Sequence, residues 1–432
     1  MRPPLRLFCT LCFLCAFLAA SAQAVPQQTA PSNAAGASGQ QPGAGPEKPK
    51  IRCITAFIKL DVALYPQEVA DTVVFLRQAR KTYEQAGFEV QTIRITTQPF
   101  PGYTEGMNTD DALRFLHAYD ELANKDGFNA SIGPAMMKAG DDDANAALLA
   151  RALAPAQSLN GSIIIAGDDG IHWDAVGAAA GVVEFLAAHS AGSLANFRFA
   201  ATAMVPPGAP FFPASYHLSN GHEFSVGLQS AGVVAAAMSA THDPAEAERR
   251  ITKMLGDYAQ QIENISLVIG KKTGWSYTGI DLSPAPMKQE SIGAAIEAFT
   301  GVWLGSSGTL TAAGVITRAL REIEVEHAGY SGLMLPVMED NIIARRWSEG
   351  SLSIDNLLSY SAVCGTGLDV IPLPGKISRE QIERILTDVA TLAFKWHKPL
   401  SARLLPFTGK DAGDKTNFDD AHLVNVMIRP LP

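Results

Sequence analysis

The sequence predicts an α/β fold built around a largely parallel β-sheet, either open or closed into a barrel. From residue 51 onward, short apolar segments rich in β-branched residues alternate with longer segments whose apolar residues have helical spacing. Alternation of this length is typical of parallel strands that are joined by helices. The connecting loops are rich in Gly, Pro and polar residues, as expected where strand ends carry ligands.

The individual elements follow from local composition. Enrichment in β-branched and aromatic residues predicts strands at residues 51–60, 88–96, 128–132, 162–166, 197–205, 223–228, 275–282 and 400–407. Apolar residues at helical spacing predict helices at residues 67–84, 144–153, 175–189, 244–265, 291–299, 312–324 and 379–396. A further helix is predicted to be capped by Thr109, with Asp110 and Asp111 in the first turn, where the helix dipole favours acids.

The first 24 residues have the composition of a cleavable signal peptide. Arg2 and Arg6 precede an apolar run at residues 7–20, and Ala22 and Ala24 occupy the two positions that a signal peptidase reads. The run is shorter than the roughly 20 apolar residues that span a membrane, and no later stretch qualifies. The sequence therefore predicts a periplasmic or secreted protein without a transmembrane segment after cleavage.

Two further regions follow the predicted signal. Residues 25–50 consist mostly of Pro, Gly, Ala, Gln and Ser, so they bury too little apolar surface to fold and are predicted to be a disordered linker. Residues 51–432 are predicted to form a single α/β domain.

Charge and cysteine content limit the classes of partner. The formal net charge is −9 and no basic stripe is present, which argues against nucleic acid as a partner. Cleavage of the signal would leave two of the five cysteines, Cys53 and Cys364, and the sequence leaves open whether they pair. Composition identifies no cofactor and no metal, and it is compatible with a homo-oligomer.

Several polar residues are candidates for a site. His217 lies in a Pro-rich loop and is the histidine most suited to a functional role. Glu339 and Asp340 follow a strand-like run, where paired acids fit a cation site or acid–base chemistry. They fit the first turn of a helix equally well, since the helix dipole favours acids there.

The segment at residues 361–369 (SAVCGTGLD) is the most informative. Cys364 lies between an apolar residue and two glycines, Gly365 and Gly367, and Asp369 follows. Glycines permit a tight loop that could bring the thiol into a cavity, where its reactivity depends on local charge. A small buried hydrophobic residue at a turn is the alternative, because free cysteine is often buried.

Three blocks of the sequence resemble an uncharacterised family called domain of unknown function 711, or uncharacterised protein family 0210. They are residues 329–340 (GYSGLMLPVMED), 363–374 (VCGTGLDVIPLP) and 402–418 (ARLLPFTGKDAGDKTNF). The family resembles the pyruvate formate-lyase and ribonucleotide reductase group. The resemblance implies a ten-stranded α/β barrel with a central finger loop, on which Cys364, Gly365 and Gly367 would lie.

The chain departs from that group at its C-terminus, because residues 424–432 lack the glycine motif that carries a glycyl radical. The hypothesis is therefore an exported protein, acting on a small metabolite without a glycyl radical, in a barrel-centred site. Its candidate residues are Cys364, Asp369, His217, Asp281 and Glu339 for catalysis, and Gly365, Gly367, Arg403 and Asp340 for binding. A non-catalytic protein that binds or senses a small molecule in the same cavity is the alternative. A cation bound by Asp281, Glu339 and Asp340 is a third, weaker hypothesis.

Overall fold

The structure is a computed structural model that describes residues 48–431. The predicted signal peptide at residues 1–24, and the predicted linker up to residue 47, lie outside the described residues. No helix among residues 48–431 is both long enough and apolar enough to cross a membrane.

Residues 48–431 contain ten strands in a single sheet. Their bounds are β1 Lys50–Phe57, β2 Val90–Thr96, β3 Asn129–Pro134, β4 Leu159–Gly167, β5 Gly170–Ile171, β6 Phe199–Ala203, β7 Glu223–Gln229, β8 Ser276–Asp281, β9 Gly367–Pro374 and β10 Leu400–Phe407. The prediction of a ten-stranded α/β fold is confirmed.

The helices lie between these strands in the order that the sequence predicts. Their bounds are α1 Tyr65–Gln85, α2 Pro101–Thr104, α3 Thr109–Asp126, α4 Ala144–Leu153, α5 Trp173–His189, α6 Ala231–Met238, α7 Pro244–Thr273, α8 Ile292–Thr300, α9 Thr309–Arg321, α10 Asn341–Glu349, α11 Ile354–Ser361 and α12 Arg379–Trp396. The sequence prediction lacked α2, α6, α10, α11 and the strands β5 and β9. The cap of α3 is Asn108, whose side chain accepts from the backbone N–H of Asp111.

The strand order is β8-β7-β1-β2-β3-β4-β6-β10-β9, and the short β5 pairs with β4. Strands β1, β2, β3, β4 and β6 run parallel to one another. The pair β7 and β8 and the pair β9 and β10 run antiparallel to those five strands. The array is thus mostly parallel and barrel-like.

The two end strands, β8 and β9, do not pair with each other. Residues 326–340, here called the bridging segment, form hydrogen bonds with both. The backbone N–H of Ala328 donates to Ile280 of β8 over 3.1 Å, and that of Val337 donates to Asp369 of β9 over 3.0 Å. An irregular stretch of chain therefore connects the two edges of the sheet.

A second irregular stretch packs on the face of the sheet that the helices leave free. Residues 205–217, here called the inner loop, accept hydrogen bonds from inward-facing strand residues: Thr55 Oγ1 donates to the carbonyl of Pro210 over 2.8 Å, and Ser131 Oγ donates to that of Ser215 over 2.8 Å. Phe211 of this loop packs with Cys53 in an apolar cluster separate from the main core. The loop inside the strand array is therefore this one, and the prediction that a finger loop carries Cys364 is wrong.

Candidate functional site

The inner face of the sheet encloses a cavity of about 640 Å³, here called the inner cavity. It lies where β2, β3 and β4 begin, and Gln91, Asn129 and Asn160 line it from those strands. Phe211 and Phe212 of the inner loop form part of its wall. The cavity is therefore lined by polar side chains at the strand starts and by aromatic rings of the inner loop.

Arg403 of β10 holds two carboxylates of this cavity together. Its Nη2 donates to Glu339 Oε1 over 3.0 Å, and its Nε donates to Asp369 Oδ1. Burial lowers the pKa of Arg403, but the charges of Asp369 and Glu339 outweigh that effect and raise it above its usual value. The guanidinium also lies 4.7 Å from the centroid of the Phe197 ring. Arg403 is thus fully paired and stays charged.

Arg52 of β1 lies on the other side of Glu339. Its Nη2 is 3.9 Å from Glu339 Oε2, and its Nη1 donates to Gln91 Oε1 over 3.0 Å. Gln91 in turn donates to Gln229 over 2.7 Å, and Gln229 donates to Glu290 over 2.7 Å. This chain of side-chain amides holds Arg52 in place at the cavity wall.

Arg94 of β2 differs from both, because it forms no ion pair with any acid among residues 48–431. Its Nε donates to Thr92 Oγ1 over 3.2 Å, its Nη1 reaches the carbonyl of Pro210 at 3.5 Å, and its guanidinium lies 4.9 Å from the Phe212 ring centroid. Burial is the main cause that lowers the pKa of Arg94; the charges of Arg52 and Arg403 lower it further, and the charge of Glu339 opposes them. Arg94 is therefore a half-buried cation of the inner cavity that has no acid within ion-pair distance among residues 48–431.

A β-bulge positions Asp369. The pairing of β9 with β10 shifts register between Ala402 and Leu404, and Val370 has a φ of 52°. A β-branched residue in this left-handed region is strained, and strain of this kind is common at functional sites. At this bulge Asp369 and Val370 of β9 lie opposite the single residue Arg403 of β10. The bulge therefore sets the position at which the side chains of Asp369 and Arg403 meet.

The structure brings together three of the residues that the sequence singled out, Glu339, Asp369 and Arg403, as lining of the inner cavity. Their roles in chemistry remain predictions. Arg52, Arg94 and Thr366 also line the cavity and were missed. The two arginines stand within predicted strands, and the available signal was the alternation of polar residues along β2 at Thr92 and Arg94.

Cys364 and its glycines lie elsewhere. Cys364 is 1% exposed, belongs to the main apolar core, and its Sγ contacts Ser361 Oγ at 3.8 Å. A Cβ on Gly365 would lie 2.4 Å from the Cα of Gly332, and Gly367 has a φ of 90° at the start of β9. The two glycines therefore serve close packing and strand geometry, and none of these three residues lines the inner cavity.

Asp281 and Asp340 are fully buried among backbone donors and do not line the inner cavity. Asp340 accepts from the N–H groups of Ile342 and Ile343, which begin α10, and from Ile292 at the start of α8. Burial raises the pKa of both carboxyls, although these donors lower it in part. Asp340 thus caps two helices, which was the alternative that the sequence left open.

His217 is also outside the inner cavity. It lines a second cavity of about 700 Å³ near the end of the inner loop. Its Nδ1 lies 3.6 Å from Glu223 Oε2, and its Nε2 lies 3.1 Å from the carbonyl of Gly221. Burial lowers the pKa of His217, and the charge of Glu223 opposes that effect.

Within residues 48–431, no group of three or more His, Cys, Asp or Glu side chains could hold a metal ion. Asp281, Glu339 and Asp340 therefore do not form the cation-binding cluster that the third hypothesis requires. Cys53 and Cys364 are both free and buried.

Comparison with known proteins gives a consistent result. Residues 45–419 match the model of a family described as uncharacterised ACR (DUF711). A UPF0210 protein of Pyrobaculum arsenaticum is 29% identical and covers 78% of this chain and 78% of its own length. UPF0210 proteins of Pyrobaculum islandicum and Desulfovibrio desulfuricans are 29% and 27% identical, over 84% and 81% of this chain and 86% and 81% of their own lengths.

The structure overturns the prediction of a protein that acts on a small metabolite through Cys364 on a finger loop. The relatives that cover most of the chain are named only as UPF0210 proteins, so export stays a prediction that neither those names nor residues 48–431 test. The thiol is buried in the core instead of facing the cavity. The prediction for Cys364 is therefore wrong.

Proposed function

Because this chain belongs to the DUF711 (UPF0210) family, whose name carries no reaction, we propose a function from the inner cavity: the protein binds a small organic anion there through Arg94. The observation that carries the proposal is that Arg94, which lines the cavity and is half buried, has no acid within ion-pair distance among residues 48–431. Withdrawing a charge from water is costly unless an opposite charge and hydrogen bonds compensate. A bound carboxylate or phosphate would supply both.

The other charges of the cavity support Arg94 as the anion-binding group. Arg403 already pairs with Glu339 and Asp369, and Arg52 lies near Glu339 and is held by Gln91. Arg94 has a carbonyl, a hydroxyl and an aromatic ring as neighbours, so its guanidinium edge remains available for two parallel hydrogen bonds.

The walls of the cavity support an organic ligand over an inorganic ion. Phe197, Phe211, Phe212 and Met334 line the cavity and would contact a carbon skeleton. The remaining lining is largely polar and charged, so the cavity offers apolar contacts together with placed polar groups, as small-molecule sites do. Its volume of about 640 Å³ also exceeds what a single phosphate ion fills.

The test is a thermal-shift screen of the full chain against mono- and dicarboxylates, organic phosphates and inorganic phosphate. Ionic strength is held constant, because salt screens exposed charges. We expect at least one organic anion to raise Tm. At a concentration 100 times Kd, the bound anion adds about 2.7 kcal/mol to the free energy of unfolding. Arg94→Gln should weaken binding of that anion by about 10- to 100-fold, since a hydrogen bond to a charged group contributes roughly 1.5–3 kcal/mol.

Arg114→Gln is the matched control, because Arg114 is an exposed arginine of α3 that pairs with Asp111 on the surface. Binding by this variant should equal that of the unmodified chain. The proposal is overturned if no organic anion raises Tm, or if Arg94→Gln binds the anion as tightly as the control does.

A further inference from the structure

Thr366 is a second residue of the inner cavity that lacks a partner. Its side chain is 2% exposed, and its Oγ1 forms no hydrogen bond within residues 48–431. Its carbonyl is paired, because it accepts from the N–H of Ser401 over 2.9 Å and from Ser401 Oγ over 3.2 Å. The side-chain hydroxyl is left without a partner among residues 48–431, in a residue that lines the cavity.

A buried hydroxyl without a partner destabilises the folded state, because water solvates it in the unfolded chain. Nearly all such groups in proteins are paired, so an orphaned one on a cavity wall points to a partner that arrives with a ligand. Thr366 precedes β9, whereas Arg94 belongs to β2, and β3, β4, β6 and β10 separate these two strands in the sheet. A molecule that contacts both residues would extend across the cavity.

The charges near Thr366 indicate which group it would bind. Asp369 follows three residues later and also lines the cavity, as does Glu339, which shares Arg403 with it. Arg403 offsets much of their negative charge, but a carboxylate can accept several hydrogen bonds, so Asp369 can still accept one from a ligand donor placed beside Thr366. A threonine hydroxyl can accept a hydrogen bond from such a donor.

We infer that the anion bound by the inner cavity carries a second polar group, a hydroxyl or an amino group, which hydrogen-bonds to Thr366 Oγ1 beside Asp369. The ligand class is therefore hydroxy acids and amino acids. This inference rests on the proposed function, because Arg94 supplies the binding of the acid group.

The experiment compares matched compounds that differ only in that group. Succinate, malate and aspartate form one set, and glutarate, 2-hydroxyglutarate and glutamate form a longer one, with each chiral compound tested as both enantiomers. Kd is measured by calorimetry with the full chain. We expect a hydroxy or amino member of one set to bind about fivefold or more tightly than its unsubstituted parent, the ratio that one hydrogen bond typically gives.

Three variants test whether Thr366 causes the preference for hydroxy or amino acids over their unsubstituted parents. Thr366→Val keeps the shape of the side chain, so the preference should disappear while the unsubstituted acid still binds; without ligand, its Tm should equal or exceed that of the unmodified chain. Thr366→Ser keeps the hydroxyl and should keep the preference. Ser230→Ala is the control, since Ser230 Oγ is also buried and unpartnered but does not line the cavity.

The possible failures are distinct. If no acid of either set or of the wider screen binds, the proposed function itself is overturned. If acids bind through Arg94 with equal affinity whether or not they carry the second group, only the present inference is overturned. A preference that survives in Thr366→Val also overturns it, because another group must then provide the contact.

Discussion

At the scale of single residues, Arg403 and Arg94 show how pairing separates a structural cation from a binding one. Both guanidinium groups lie over a phenylalanine ring, Phe197 and Phe212 respectively. Burial lowers the pKa of both groups; for Arg403 two carboxylates outweigh this effect, whereas for Arg94 the more distant charge of Glu339 does not. The same side chain therefore stabilises the fold at one position and is available to a ligand at the other.

The sequence predicted only one side of this arrangement. Glu339, Asp369 and Arg403 lie in the three blocks of sequence that resemble the family, and they could be identified as candidate site residues for that reason. Arg94 lies in β2, where Thr92 and Arg94 share one face, but this alternation does not show whether that face lines a cavity or the surface. Its role depends on which acids lie within reach, and that is set by strand order, not by neighbours in the sequence.

Cys364 provides a prediction at this scale. Because its thiol packs in the core and contacts Ser361, Cys364→Ala should lower the free energy of unfolding by about 1 kcal/mol, a common value for a small buried truncation. Anion binding should stay unchanged, because Cys364 does not line the inner cavity. Urea denaturation and calorimetry measure the two quantities. A loss of binding with unchanged stability would contradict this assignment.

At the scale of elements, the strand β9 is the informative failure of the sequence prediction. Residues 363–374 contain two glycines and two prolines, Pro372 and Pro374, which indicate a loop. Residues 367–374 nevertheless form β9, which lies at the end of the sheet and pairs with β10 alone among the strands of residues 48–431. Prolines are tolerated in such edge strands, where one side needs no backbone donor. Edge position is a tertiary property, so local composition could not reveal it.

The inner loop provides the prediction at this scale, through His217 at its end. The backbone N–H of His217 donates to Thr97 over 3.2 Å, so the residue fastens the loop to the end of β2. Burial lowers the pKa of its imidazole below the ordinary value of 6.5, despite the opposing charge of Glu223. The unfolded chain therefore takes up this proton more readily than the folded chain does.

The expected pH dependence follows from that sign. The contribution of His217 to stability is fully present above about pH 6.5 and is lost as pH falls through its lower folded-state pKa. Denaturation at a series of pH values should show the unfolding free energy falling through this window, and His217→Gln should show a shallower fall. An equal slope in the variant and in the unmodified chain would contradict the assignment.

At the scale of the whole molecule, hydrogen bonds join nine strands side by side from β8 to β9, with the short β5 beside β4. The two edge strands, β8 and β9, do not pair with each other. The bridging segment spans this gap, and it also carries Tyr330 and Glu339, which line the inner cavity. The same stretch of chain thus holds the two edges together and supplies the site. Strand–helix alternation predicted the sheet, but this irregular connection lacks the periodicity from which it could have been predicted.

Asp281 is the residue that tests this connection. It is fully buried at the end of β8, where Oδ2 accepts from the N–H of Tyr330 over 2.8 Å and Oδ1 accepts from those of Ser331 and Ser283 over 3.0 and 2.9 Å. Asp281→Ala leaves three buried donors without an acceptor, and each costs roughly 1–3 kcal/mol, so we expect a loss of about 3 kcal/mol or more in unfolding free energy.

The loss should be local as well as global. Hydrogen exchange should quicken most in the bridging segment, because two of the three donors belong to it, and anion affinity should fall, because Glu339 and Tyr330 lose their placement. Asp281→Asn retains one acceptor oxygen and should lose less. Asp257→Ala, which removes an exposed acid of α7 paired with Lys253, should change stability by less than about 0.5 kcal/mol. A uniform rise in exchange along the chain, with protection of residues 326–340 no more affected than the rest, would show that Asp281 stabilises the fold without holding the two sheet edges together.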